Sequence, residues 1–228
     1  MKAGETAAGC GAAAAEGVAD VIAARPNPAP GPAARPARGV AAIGGRTLAE
    51  KALEVALGFA AAGLVANGQD RNPEVDKIEA LFGLMGEPFC AMGAVFCFAK
   101  AYAFLAGEAV DEPTLKVIIG GKLTRYFRPS PSCGAIMTGA RKMGIWRPAG
   151  DEPADAIAEM RPGDLVLYCW NGSGLPEHVG LFRADAGGSV RTVEFNTSPG
   201  QGGSQVNGHG VFVRTRPARF VVGSVAVG

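Results

Sequence analysis

Charge of one sign in excess is missing from this chain: 22 Lys and Arg stand against 21 Asp and Glu, for a net charge of +1. No broad basic field is therefore available to attract phosphates, and nucleic acid is not an expected partner. Paired cysteines are missing too. The five present, Cys10, Cys90, Cys97, Cys133 and Cys169, are odd in number, widely spaced and without a Cys-x-x-Cys pair, which excludes a disulfide scaffold and a zinc finger and leaves reduced thiols. Outside the stretch around Cys90, the longest apolar run, residues 55–66, has 12 residues, short of the about 20 needed to span a bilayer. A soluble protein with no integral membrane segment is expected. Glu5, Glu16 and Asp20 interrupt any signal-peptide core, and Ala7-Ala8-Gly9-Cys10 lacks the apolar segment that precedes a lipoprotein cysteine. The expectation is a protein made in the cytoplasm without a signal peptide. Its 228 residues suit one domain with a substantial core and leave no room for a second catalytic one.

What is present changes character along the chain. Residues 1–45 are mostly Ala, Gly, Pro and Arg, with no aromatic side chain. Such a segment buries too little apolar surface to offset its ordering entropy, so a disordered tail is expected there. From Thr47 apolar residues recur at helical spacing, and Thr47 with Glu50 forms a capping-box pattern. The pattern predicts a helix over 47–66, ended by Asn67-Gly68, and a second from Pro73. A third, 88–106, is apolar nearly all round with Lys100 its one charge, as suits a buried central helix ended by Gly107. A fourth is expected over 131–144, capped by Ser130 or Ser132. The period then shifts to two: 164–170, 178–183, 189–195, 210–216 and 219–227 read as strands. Helices followed by consecutive strands predict an α+β fold, N-terminal helices packed on an antiparallel sheet.

Cys90 stands in the first turn of the third helix, two residues after Pro88. A thiol acts as a nucleophile when ionised, and unpaired first-turn N–H groups with the positive end of the helix dipole favour the anion. An imidazole completes the activation by accepting the thiol proton, and a polar third group fixes the ring. His178 opens one predicted strand, and Glu194 and Asn196 end the next. A hairpin turning at Asp185-Ala186-Gly187-Gly188 brings both motifs to one end of the sheet. Period-two alternation places Glu194 and Asn196 on one face, either able to orient His178.

Taken in order, Pro88-Phe89-Cys90-Ala91, Pro162-Gly163-Asp164-Leu165-Val166, His178-Val179-Gly180 and Glu194-Phe195-Asn196-Thr197 resemble the CHAP domains of NlpC/P60-type peptidoglycan hydrolases over about residues 47–226. The resemblance implies a papain-like catalytic domain at 46–228 with Cys90 as nucleophile, His178 as base, and Glu194 or Asn196 as its orienter. It implies cleavage of wall-peptide amide bonds, between muramic acid and L-alanine or within the stem or cross-bridge. The expected partner is bacterial peptidoglycan, acted on by a monomer after release or non-classical delivery. No metal or organic cofactor is required. Phe89 stands where relatives commonly carry tryptophan, keeping an aromatic body without the indole donor.

Bland roles account for the rest. Cys97, Cys133 and Cys169 fit core positions, and His209 fits an exposed one. Trp170 is the candidate substrate contact; Trp146 reads as packing. Asp70, Glu74 and Asp76 lack EF-hand spacing and suit a solvated helix start. Residues 200–203 lack the Lys-Ser/Thr ending of a phosphate loop. Two rivals stay open: a catalytically silent wall-binding or phage structural domain of the same fold, and a thiol hydrolase with a non-wall amide or ester substrate.

Overall fold

Thr47 begins the first helix, α1 (Leu48–Ala61), with the capping box the sequence predicts: its hydroxyl accepts from Glu50 N, and the Glu50 carboxylate accepts from Thr47 N. The computed structural model describes residues 47–200 and 208–227. The expected tail 1–45, Cys10, and residues 201–203 of the glycine-rich loop lie outside the described residues. α1 stops earlier than expected, because Gly63 adopts a left-handed φ of 66° and Leu64 N turns back to Phe59 O. The chain then leaves the helix extended, and Val65 bridges to Gly210 instead of adding a helical turn.

Asn72 caps α2 (Pro73–Ala80), with proline in the first turn. α3 (Cys90–Ala106) is buried along most of its length and ends at Gly107, φ 67°. α4 (Glu112–Val117) runs into a wide turn, Ile118–Lys122, and a short 3₁₀ turn, Leu123–Arg125. Ser132 caps α5 (Cys133–Met143), and the short α6 (Pro153–Ala158) follows a three-residue strand, β1 (Trp146–Pro148). The remaining strands are β2 (Leu165–Tyr168), β3 (His178–Asp185), β4 (Ser189–Thr197), β5 (Gly210–Pro217) and β6 (Val221–Val225).

Among the described residues the six strands form one antiparallel sheet in the order β1-β6-β2-β3-β4-β5. The architecture is therefore α+β, as expected. The strands' two-residue period divides their side chains between two apolar clusters. Leu165, Leu167, Val179, Leu181, Val193 and Phe195 join the helical core around α1 and α3. Val166, Tyr168, Phe182 and Val190 join a smaller cluster with Ile157, Met160 and Val221. Gly163, φ 91°, permits a close approach of α1 to the turn before β2: a Cβ there would clash with Ala49 O.

Candidate active site

Cys90 is the first residue of α3 and His178 the first of β3. The loop entering α3 is pinned by Glu79, a buried carboxylate of α2 that accepts from Gly86 N at 2.6 Å and Glu87 N at 2.9 Å. Phe89 at the N-cap offers no side-chain hydrogen bond, so the first-turn N–H groups remain for another acceptor, and Ala91 N–H stabilises the Cys90 anion. One turn on, Gly93 lets α3 lie against β4: a Cβ at that position would sit 2.3 Å from the Phe195 ring.

His178 is buried and pairs in register with Tyr168 of β2. Its Nε2 lies 3.1 Å from Glu194 Oε2. The register makes that contact diagonal, because Glu194 sits opposite Gly180 and not opposite His178. Gly180 has to be a glycine for this reason: a Cβ there would lie 2.8 Å from Glu194 Cγ and 2.9 Å from Thr192 Cβ. The Glu194 side chain leans toward the ring through space that any other residue would fill.

Further groups converge on the same carboxylate. Thr192 Oγ1 donates to Oε1 at 2.7 Å and, having spent its proton there, accepts from the Tyr168 hydroxyl at 2.9 Å. Arg216 of β5, 2% exposed, donates from Nε to both carboxylate oxygens at 3.0 and 3.1 Å and from Nη2 to Oε2 at 2.6 Å. Its Nη2 also reaches Thr197 Oγ1 at 2.9 Å, and its guanidinium carbon lies 5.1 Å from the centre of the Trp170 ring. The half-buried Trp170 stacks on Tyr168 at 5.3 Å and lies 6.4 Å from the His178 ring.

Charge in this buried cluster is redistributed. Burial alone would raise the Glu194 carboxyl, but His178 and Arg216 outweigh it and hold it at about 2. Burial likewise opposes the His178 imidazolium, but Cys90 and Glu194 outweigh it and carry the ring to about 9. Nε2 is committed to Glu194, while Nδ1 is buried and has no hydrogen-bond partner among the described residues. The Cys90 thiol is held well below its ordinary value, foremost by the Cys133 thiol and then, against burial, by His178. The two shifts, thiol down and imidazole up, both favour thiolate beside imidazolium over two neutral groups.

Asn196 is buried in β4 but has φ 55°, at a break in the pairing between Glu194 and Thr197. The alternation that would place it on the face of Glu194 stops there. Of the other expected bland positions, Cys97 lies inside α3, where burial pushes its thiol far up. Cys169 meets Asn171 Oδ1 at 3.2 Å and Ser173 Oγ at 3.6 Å. His209 Nδ1 lies 3.0 Å from Asp70 Oδ1, Asp76 pairs with Arg71 at 2.7 Å, and Glu74 with Lys77 at 2.6 Å, so the three carboxylates have separate partners. Among the described residues no group of three or more His, Cys, Asp or Glu side chains is placed to hold a metal ion.

Arg216, Thr192 and Tyr168 escape a reading of the sequence, because only the strand register brings them to Glu194. Cys133 escapes it as an apparent core residue, yet its Sγ is 3.8 Å from that of Cys90. Its one sequence signal is a place just after the capping Ser132, at a helix start like that of Cys90.

No protein-family model matches the chain, and no curated protein matches it. Among solved structures it is similar to Ly7917, at 13% identity and a TM-score of 0.38, over 80% of this chain and 63% of that one. Among the described residues no helix is long and apolar enough to cross a membrane.

Proposed function

We propose that this protein is a cysteine-dependent hydrolase of peptide amide bonds in bacterial peptidoglycan, with a papain-like fold of the CHAP and NlpC/P60 type. The observation that carries the reading is Cys90 at a helix start, a His178 whose proton affinity Cys90 raises, and Glu194 Oε2 at 3.1 Å from His178 Nε2. An inert binding domain has no need of an arginine, a glutamate and a histidine buried together, since taking them out of water costs several kcal/mol per ion.

In the proposed reaction Cys90 Sγ attacks the scissile carbonyl carbon. The developing oxyanion meets the Cys90 backbone N–H at the start of α3. His178 then gives its Nδ1 proton to the leaving amine as the C–N bond breaks, leaving an acyl-thioester on Cys90. Neutral His178 next takes a proton from water, whose oxygen attacks the thioester and restores the thiolate and imidazolium. Glu194 holds the ring with Nδ1 toward the sulfur throughout, and Arg216 and Thr192 keep Glu194 ionised and in place.

The substrate class rests on the likeness of the Cys90, His178 and Glu194 motifs to wall hydrolases; the bond falls between muramic acid and L-alanine or within the stem or cross-bridge. Trp170, beside His178, is the expected substrate contact, and action on the wall follows release or non-classical delivery. The test is incubation of isolated sacculi with the wild-type protein and with Cys90→Ala, the soluble fragments being identified by mass spectrometry. Fragments released by the wild type alone support the reading. Equal release by both proteins, or release by neither, contradicts it.

A further inference from the structure

The hydrolytic steps above give no role to Cys133, although its sulfur is the close neighbour of the nucleophile's at 3.8 Å. The two residues are 43 positions apart in sequence, and each is the first of a helix, Cys90 of α3 and Cys133 of α5. Both are buried free thiols, 5% and 7% exposed. Their proton affinities diverge: Cys133 is pushed well above its ordinary value, first by the Cys90 anion and then by burial, while Cys90 falls well below. The two sulfurs are in contact, and the opposite shifts favour a thiolate at Cys90 and a thiol at Cys133. That is the composition a reversible thiol oxidation requires, with one sulfur to attack an oxidant and a second to resolve the product.

We propose that Cys90 and Cys133 form a redox pair in which a hydroperoxide oxidises Cys90 and Cys133 closes a disulfide onto it, withdrawing the nucleophile reversibly. The proposal rests on the reading of Cys90 as the reactive thiolate, though not on which bond the protein cuts. In the first step Cys90 Sγ attacks one peroxide oxygen. The O–O bond breaks, the sulfur loses two electrons to become a sulfenic acid, and the other oxygen leaves with a proton from His178. In the second step Cys133 Sγ attacks the Cys90 sulfur; the S–O bond breaks, the S–S bond forms, and the hydroxyl departs as water with the Cys133 proton. Two equivalents of an external thiol reverse the change by thiol–disulfide exchange.

The geometry asks little movement. From 3.8 Å the sulfurs must approach to the about 2.05 Å of a disulfide, a change that side-chain rotation and a small shift of the first α5 turn can supply. That turn has room, because Gly134 follows Cys133 and a Cβ there would meet only Ser132 Oγ, at 3.8 Å. Without a resolving sulfur, the sulfenic acid at Cys90 would proceed to sulfinic acid, which thiols do not reverse.

The test treats the full chain with hydrogen peroxide, then maps its sulfurs by intact mass and by peptide mass spectrometry without reduction. The expected wild-type product is lighter by about 2 Da, with the Cys90 and Cys133 peptides joined, and dithiothreitol restores both thiols. In Cys133→Ala, Cys90 should gain about 32 Da as sulfinic acid and should not be recovered by dithiothreitol. A wild type in which Cys90 gains oxygen without joining Cys133, or joins another cysteine, overturns the proposal whether or not the variant folds. Because the mapping reads sulfur and not turnover, the two ideas fail separately. A joined pair in a protein inert toward sacculi would sink the hydrolase reading alone; an active protein with no joined pair would sink the redox pair alone.

Discussion

Arg216 Nη2 lies 2.6 Å from Glu194 Oε2, the same oxygen that meets His178 Nε2 at 3.1 Å. One buried carboxylate is thereby shared between a permanent cation and a titratable one. Against burial, His178 and the permanent partner hold the Glu194 carboxyl at about 2, so the imidazole finds an ionised acceptor above that pH.

Replacing Arg216 with alanine leaves that carboxylate buried with one cation fewer. Loss of one member of a buried ion pair costs about 3–5 kcal/mol, so Arg216→Ala should unfold at markedly lower urea concentration and lose most of its activity. Arg216→Lys keeps the charge without the two-pronged donor geometry and should fall between. Wild-type urea midpoints and rates in both variants would show that the contact carries no weight.

Gly180 is the second lever on the same carboxylate. Alanine there puts a methyl 2.8 Å from Glu194 Cγ and 2.9 Å from Thr192 Cβ. Crowding of that kind costs about 1–3 kcal/mol, and here it should also push Glu194 off His178. Gly180→Ala is expected to keep its circular dichroism while its rate falls more than its thermal midpoint suggests. Full activity in a folded Gly180→Ala protein would contradict the diagonal Glu194–His178 contact.

Glu194 and Asn196 are expected to contribute unequally to the proposed reaction. Glu194→Gln retains the shape but removes the charge that steadies the imidazolium, and positioned acid–base assistance of this kind is worth about 10²–10⁴ in rate. Asn196 sits at φ 55°, which glycine accepts readily, so Asn196→Gly should fold normally and keep far more activity than Glu194→Gln. Steady-state rates for the two variants decide the matter, and the reverse ranking would name Asn196 as the orienter.

The two shifted groups also set a pH window. His178 is raised from 6.5 to about 9, so its contribution to stability is complete below 6.5 and drains away as pH climbs through about 9. Glu194 is lowered from 4.5 to about 2, so its contribution is complete above 4.5 and is lost as pH falls through about 2. Urea unfolding across pH should therefore show these two contributions intact between those limits and weakening on either side, and hydrolysis should decline on the alkaline side near 9 as the imidazolium is lost. An alkaline limb of hydrolysis near 6.5 would contradict this assignment.

Local chemistry in the sequence was sufficient for much of this arrangement. Thr47 with Glu50, Pro73, Ser132, and Gly107 act within a turn of their own position, and the helix ends they imply are where the chain puts them. The hairpin at Asp185–Gly188 follows from turn residues between alternating strands and brings His178 and Glu194 together. The end of α1 was misread because the left-handed turn falls at Gly63, ahead of the stronger-looking Asn67-Gly68. β1, α6, α4 and the turns that follow it were missed, being too short to show a period. Arg216 and Thr192 were illegible for another reason. Their contacts with Glu194 depend on side chains crossing between neighbouring strands, and Cys133 meets Cys90 only through the packing of two helix starts. Such convergence leaves no mark in local sequence.

The measurement that bears most directly on the site is the rate of Cys90 alkylation by iodoacetamide as a function of pH, followed by peptide mass spectrometry in the wild type and in His178→Ala. The thiolate–imidazolium pair predicts that wild-type Cys90 already reacts rapidly on the acid side of neutrality. Its rate should change little until the imidazolium is lost near 9, and His178→Ala should markedly weaken that early reactivity. A wild-type Cys90 that reacts only as an ordinary thiol does, rising toward about pH 8.5 with or without His178, would contradict the account.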